Sequence, residues 1–194
     1  MRYLLVAAFF SLLPSACFAQ DLQSRLIVHP TADISEKWFL AGWGIGNLRV
    51  KTPSNANFFG GVGYRGSDWW IEGMIQRQWS RKGNSVLFDV RFQKQFGNRV
   101  SLYVEPAPFL NRRAFYNFTI VEYRAFGKLR LGGETENIHR AGADSLAFGP
   151  RVSYSLGTLA GFSVVASITY RMQRPEPDAL RVYLAFHRRF ARRK

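Results

Sequence analysis

Residues 146–172 read LAFGPRVSYSLGTLAGFSVVASITYRM, and this stretch decides the fold. Apolar and aromatic residues alternate with small, polar or Arg residues on both sides of a short break at 157–161. Two runs of period two joined by a Gly-bounded connection are typical of a β-hairpin. The stretch therefore predicts two antiparallel strands with one apolar face and one polar face.

The same unit repeats along most of the chain. The alternation predicts ten strands, at 38–49, 56–65, 69–79, 85–94, 99–109, 115–124, 128–135, 146–156, 162–172 and 180–190. These strands are longer than the five or six residues usual in globular sheets and fit the roughly 9–11 residues that a tilted strand needs to cross a bilayer. The predicted fold class is all-β, an antiparallel up-and-down transmembrane β-barrel of eight to ten strands. Ten is preferred because bacterial barrels have even strand numbers.

The N-terminus has the layout of a secretory signal peptide, with a positive start, an apolar run at 4–13 and small residues up to Ala19. The apolar run is shorter than the roughly 20 residues of a membrane helix. Cys17 leaves a lipoprotein signal as an alternative, although Pro14 stands where Leu is usual. The predicted organisation is a signal peptide at 1–19, a polar lead segment at 20–37, a β-barrel at 38–190 and a basic tail at 191–194.

The chain is strongly basic, with 27 Lys and Arg against 13 Asp and Glu. Its one cysteine lies in the predicted signal peptide, so the mature chain offers no disulfide, thiol nucleophile or thiolate metal site. Export makes anionic surfaces the expected partners of this charge: membrane lipids and lipopolysaccharide phosphates, with no nucleic acid. No cofactor is expected.

The parity of the strands does not by itself say which face points outward. The polar face carries charges of both signs that would pair across a narrow lumen, and large aromatic residues recur near strand ends, as in the aromatic girdles of membrane barrels. The predicted lumen charge network comprises Glu72, Asp89, Arg91, Glu105, Lys128, Arg130, Glu134, Arg151, Arg171 and Arg181. In the opening hairpin, Leu146, Val152, Val164 and Ile168 should then face lipid.

This pattern resembles the small outer-membrane β-barrels of Gram-negative bacteria. Those proteins commonly end in a strand whose last residue is aromatic and is recognised by the barrel-assembly machinery. Here the segment 182–190 is similar to that signal, with Phe190 in the terminal position, although four residues follow it. The resemblance implies an outer-membrane location, with the periplasm as the alternative.

The connections differ between the two ends of the predicted barrel, being longer and more polar after odd strands than after even ones. This difference is typical of outer loops and periplasmic turns, and ten strands would leave both termini at one end. Arg81, Lys82, Arg112 and Arg113 form the predicted basic outer rim. Pro106, Pro108 and Pro150 stand inside strands, where each removes a ladder donor, so the fifth strand either ends near Glu105 or bulges.

One polar cluster suggests chemistry: Glu134, Glu136, His139, Arg140, Asp144 and Ser145 surround the longest outer loop. Carboxylates, an imidazole and a hydroxyl are the parts of a hydrolytic or cation site. Their spacing matches no metal motif, so no catalytic residue and no metal ligand is assigned.

Three functions remain open. The first is an integral outer-membrane barrel with a charged, largely filled lumen and a structural, adhesion or narrow-pore role. The second is a soluble periplasmic or secreted barrel or sandwich that binds a hydrophobic ligand, which requires Phe88, Val152 and Ile168 to be buried. The third is a barrel enzyme that modifies lipid and uses His139, Glu134 and Ser145.

Overall fold

The computed structural model describes residues 21–49, 54–80, 83–110, 113–142 and 144–191. Within these residues, no helix has the length and apolar character needed to cross a membrane. Eleven strands close into one barrel: β1 Asp21–Asp33, β2 Trp38–Arg49, β3 Asn55–Arg65, β4 Trp69–Ser80, β5 Gly83–Phe96, β6 Val100–Pro108, β7 Ala114–Phe126, β8 Leu129–Arg140, β9 Leu146–Leu159, β10 Phe162–Arg174 and β11 Ala179–Phe190.

The strand number corrects the expected ten, because part of the lead segment forms β1. Consecutive strands pair antiparallel, but β1 closes the ring by pairing in parallel with β11. An odd strand number also corrects the expectation that both termini lie at one end. Asp21 begins β1 at the end of the barrel that carries the 50–54, 109–113 and 141–145 connections, here named the long-loop end. Phe190 ends β11 at the opposite end, here named the short-turn end.

The apolar parity of the strands points outward. Ile75 is 61% exposed and Phe58 55% exposed, whereas the neighbouring positions Met74 and Phe59 are buried. In the opening hairpin, Leu146 is exposed, Val152 and Ile168 are half-buried, and Val164 is buried beside a register shift between β9 and β10. Phe88, which a soluble barrel would bury, is 43% exposed. The apolar face is therefore the outside of the barrel, and the soluble alternative loses its support.

Pro106 and Pro150 lie inside their strands at interruptions of a ladder, and Pro108 is the last residue of β6. β6 stays paired with β7 as far as Pro108, while its pairs with β5 stop at Phe92↔Val104 and return only as the isolated bridge Leu87↔Phe109. Pro150 likewise falls in a gap of the β9–β10 ladder, although it remains paired with Gly133 of β8. Each proline thus lies where the ladder to one neighbouring strand is already interrupted, so its missing N–H donor costs no further ladder hydrogen bond.

Candidate functional site: the barrel interior

Eight of the ten predicted lumen charges are buried in the barrel interior: Glu72, Asp89, Arg91, Glu105, Glu134, Arg151, Arg171 and Arg181. The other two lie toward the short-turn end. Lys128 is an exposed residue of the β7–β8 turn, and Arg130 is half-buried at the start of β8. Of the predicted basic rim, Arg81, Lys82 and Arg112 lie outside the described residues, and Arg113 is exposed between β6 and β7.

Glu134 is the centre of one group of buried charges. Its Oε2 accepts hydrogen bonds from Arg151 Nη1 at 2.8 Å and from Thr169 Oγ1 at 3.0 Å. Its Oε1 accepts a hydrogen bond from the Tyr183 hydroxyl at 2.6 Å. Since β8 to β11 are adjacent in the barrel, alternate residues of four neighbouring strands supply this group.

Glu136, two residues along the same face of β8, extends the group across the interior. Its carboxylate pairs with Arg171 Nη2 at 2.6 Å, Arg181 Nη1 at 2.5 Å and Arg25 Nη2 at 3.0 Å. Arg25 belongs to β1, which lies four strands away from β8. We name this set the arginine wall: Arg25, Glu122, Glu134, Glu136, Arg151, Arg171, Arg181 and Tyr183.

The opposite side of the interior surrounds a single cation. Arg91 Nη2 pairs with Asp89 Oδ2 at 2.8 Å and with Glu105 Oε1 at 3.3 Å. Its guanidinium carbon lies 4.2 Å from the ring centroid of Trp43 and 4.1 Å from that of Phe59. Such contacts of a desolvated cation with ring faces are worth about 2 kcal/mol.

A third carboxylate of this side, Glu72, has aromatic side chains as its partners. Glu72 accepts a hydrogen bond from Trp43 Nε1 at 2.9 Å and lies 3.0 Å from His29 Nε2. His29 stacks on Trp43 with their centroids 3.9 Å apart, and its Nδ1 lies 3.2 Å from Nδ1 of His187. We name this set the aromatic wall: His29, Trp43, Phe59, Trp70, Glu72, Asp89, Arg91, Tyr103 and Glu105.

A cavity of about 1180 Å³ runs between the two walls, and we call it the passage. Ser54 and Glu176 line it at the long-loop end, and Thr158 and Gly161 line it at the short-turn end. Its lining includes eight Lys or Arg residues and four Glu residues: Arg25, Arg91, Lys128, Arg130, Arg140, Arg151, Arg188 and Arg189, with Glu105, Glu122, Glu136 and Glu176. The passage therefore has lining residues at both ends of the barrel and is richer in cationic than in anionic side chains.

The polar cluster of the longest predicted loop does not assemble. Glu134 and Glu136 point into the barrel, whereas His139 lies on the other parity of β8, with Nδ1 3.5 Å from Asp144 Oδ2. Ser145 exchanges backbone hydrogen bonds with Ile138. Over the described part of the chain, no three His, Cys, Asp or Glu residues are arranged to hold a metal ion. The lipid-modifying alternative therefore has no assembled site to support it.

Sequence reasoning missed Arg25, His29 and Trp43. The first two lie on β1, whose alternation is masked by Ser24 on the outer parity and Ile27 on the inner one. Trp43 was not singled out from the sequence; in the structure it shares the inner parity of β2 with Phe39 and Ala41. The available signal was the repeat of polar residues at every second position from Gln23 to His29, apart from Ile27.

No protein-family model and no curated protein matches the chain. Among solved structures, the chain is similar to a KdgM porin in complex with disordered oligogalacturonate. The two share 12% sequence identity over 79% of this chain and 85% of that chain, with a TM-score of 0.57. At this identity the likeness concerns the fold: the chain is an all-β closed barrel similar to a porin.

Proposed function

We propose that the protein is an outer-membrane barrel that forms a narrow channel with a preference for anions. The observation that carries the proposal is the passage, a cavity inside a closed barrel with lining residues at both the long-loop end and the short-turn end. Its cationic excess lowers the energy of an anion within it, and low-dielectric walls strengthen that effect. The side chains of the two walls narrow the passage, which argues against a general pore.

The outer surface supports a membrane location. On the outer face at the short-turn end, aromatic rings follow one another from strand to strand: Trp38 lies 5.0 Å from Tyr64, which lies 5.7 Å from Trp69. Aromatic belts of this kind sit at membrane–water interfaces. Toward the barrel middle the same face carries exposed Ile71, Ile75 and other apolar residues. The proposal includes export by the signal at 1–19 and recognition of the β11 strand by the barrel-assembly machinery.

The orientation follows from the connections. Short turns face the periplasm in bacterial barrels, which assigns the short-turn end to that side. Phe190, 47% exposed at the end of β11, then lies where the terminal aromatic of an outer-membrane barrel is expected. The outer rim with Arg113 faces lipopolysaccharide phosphates.

The experiment is reconstitution of the mature protein in planar bilayers of phosphatidylcholine under a KCl gradient. We expect discrete conductance steps and a reversal potential shifted from zero toward the equilibrium potential of chloride. The absence of steps from protein that shows the heat-modifiable gel mobility of a folded barrel, or a potassium-side reversal potential, would contradict the proposal. A matched control is Lys94→Gln with Arg99→Gln, which removes two charges from the short-turn end outside the passage.

Acidic oligosaccharides are a second candidate class of solute. The KdgM porin was solved in complex with oligogalacturonate, and here Trp70, Tyr103 and Tyr116 line the passage together with Arg25 and Arg151. Ring faces stack on sugar rings, and guanidinium groups pair with carboxylates. Oligogalacturonate should then reduce the chloride current at concentrations where neutral maltose-type oligosaccharides do not, and equal effects of the two would exclude this class.

A further inference from the structure

The cations of the passage differ in how they are neutralised. Every arginine of the two walls has a carboxylate oxygen within salt-bridge distance. Over the described residues, no such partner is found for Lys128, Arg130 or Arg188, although all three line the passage near the short-turn end. Arg130 donates to Ser101 Oγ at 3.0 Å, and Arg188 donates to the carbonyl of Ala160 at 3.3 Å. These contacts orient the two guanidinium groups without removing their charge.

The tip of the β9–β10 hairpin brings two of these cations to one place. Lys128 Nζ lies 3.8 Å from the point where a side chain on Gly157 would begin, and Arg188 Cζ lies 3.3 Å from the same point on Gly161. Both glycines have positive φ, +103° and +81°, which permits this tight tip. Lys128 and Arg188 therefore flank the hairpin tip from its two sides.

Hydroxyl groups line the passage at the same hairpin tip. Thr158 and Ser163 are direct cross-strand partners at the tip, both are exposed, and both line the passage. Ser155, whose backbone N–H donates to the carbonyl of Lys128 at 3.2 Å, lines it as well. A hydroxyl donates to an anion without adding charge, so the tip presents cations and neutral donors together.

We propose that the hairpin tip is a binding subsite for a phosphate-type oxyanion, formed by Lys128 and Arg188 with the hydroxyls of Thr158 and Ser163. Charge-assisted hydrogen bonds from Lys and Arg to such oxygens are short and strong. The subsite rests on the proposed channel function and names the class of anion that the channel concentrates at its short-turn mouth. Both free anions and lipid headgroups carry this chemistry.

In the binding test, inorganic phosphate is titrated in the presence of the mature protein in neutral detergent. The measured quantity is the ³¹P line width of the phosphate. We expect saturable broadening, and Lys128→Gln with Arg188→Gln should raise the half-saturating concentration at least tenfold. Thr158→Val with Ser163→Ala, which keeps every charge, should raise it about fivefold, as loss of hydrogen bonding worth about 1 kcal/mol implies. The control Lys94→Gln with Arg99→Gln removes the same charge from the same end and should leave it unchanged.

Two results would overturn the subsite: broadening equal in all variants, or an equal loss in the tip and control variants, since either makes the effect one of net charge. Each variant is first required to keep heat-modifiable mobility. Phosphate binding by a protein without conductance would refute the channel and keep the subsite. Anion-selective conductance without phosphate binding would refute the subsite and keep the channel.

A second arm separates the two sources of the oxyanion. Chloride current is recorded in phosphatidylcholine bilayers with inorganic phosphate added to either side, and again in bilayers containing phosphatidylglycerol without phosphate. Block by free phosphate from one side, absent in the tip variant, identifies a soluble anion. A change in chloride current in the phosphatidylglycerol bilayers, with no block by free phosphate, identifies the lipid headgroup as the occupant.

Discussion

The two walls of the passage stabilise buried charge in different ways. In the aromatic wall, the single cation Arg91 lies between the rings of Trp43 and Phe59 and contacts two carboxylates. In the arginine wall, four arginines share three glutamates with few rings. Buried ions are tolerated only when their partners replace lost hydration. The difference teaches that one guanidinium group can be given two carboxylates and two ring faces of its own, whereas the arginine wall holds more cations than carboxylates by sharing its glutamates among several guanidinium groups.

The largest effect should come from breaking the arginine wall at Glu136. Glu136→Gln leaves Arg25, Arg171 and Arg181 without their shared carboxylate, and removing one partner of a buried ion group costs about 3–5 kcal/mol. Urea unfolding in lipid vesicles measures the loss. Glu36→Gln, at an exposed residue of the β1–β2 connection, is the matched control. An unfolding midpoint equal to that of the unchanged protein would show that the network is not stabilising.

The aromatic wall should respond to a change of shape at constant charge. Arg91→Lys keeps the positive charge but loses the planar stack on Trp43 and Phe59, and we expect a loss of about 2 kcal/mol in the free energy of unfolding. Arg99→Lys, at an exposed residue, should change it little. If both lysine variants unfold alike, charge rather than ring contact holds Arg91.

A smaller change tests the ring donors of the same wall. Trp43→Phe keeps an aromatic face toward Arg91 and His29 but removes the N–H that donates to Glu72. We expect a loss of about 1–2 kcal/mol in unfolding free energy, because a buried carboxylate oxygen is left with one donor fewer. The same urea titration measures it, and a loss as large as that of Glu136→Gln would contradict the ranking.

The smallest effect lies outside both walls, where water already solvates the charges. The hydrogen bond from Lys94 holds the pKa of Asp68, in the β3–β4 turn, below its usual range. A carboxyl group with a lowered folded pKa adds stability above its unfolded pKa, and this contribution is lost as the pH falls through the folded value. Asp68→Asn should therefore slightly flatten the fall in thermal midpoint between about pH 5 and about pH 3. An unaltered pH profile would show that this exposed pair contributes nothing.

The parity of the strands was accessible to sequence reasoning because a barrel strand repeats every two residues whatever its neighbours are. That parity was sufficient to select eight residues that are buried, among them Glu134 and Arg171. It does not encode which strands face each other across the interior. The pairing of Arg25 with Glu136 depends on ring closure, which joins segments that are distant in sequence.

The position of each charged side chain along the barrel axis was also not predictable from the strand parity. Lys128 and Arg130 were grouped with the buried charges, but their place beside the β7–β8 turn puts them at the short-turn mouth. Arg188 was predicted to lie in the last strand but was not counted among the lumen charges, although it reaches the β9–β10 tip. The odd strand count was missed because β1 does not show a clear alternation of polar and apolar residues. The outer parity of β1 contains Ser24 and Pro30, which weaken the alternation.

The parallel pairing of β1 with β11 bears on the order in which the barrel is completed. Every other neighbouring pair is consecutive in the chain and can form as a hairpin, whereas the β1–β11 seam joins residues 158 positions apart, such as His29 and His187. Contacts of such separation slow folding more than they weaken the folded state. Strand β1 must wait for β11, and until they meet the sheet keeps two open edges that require protection from other chains.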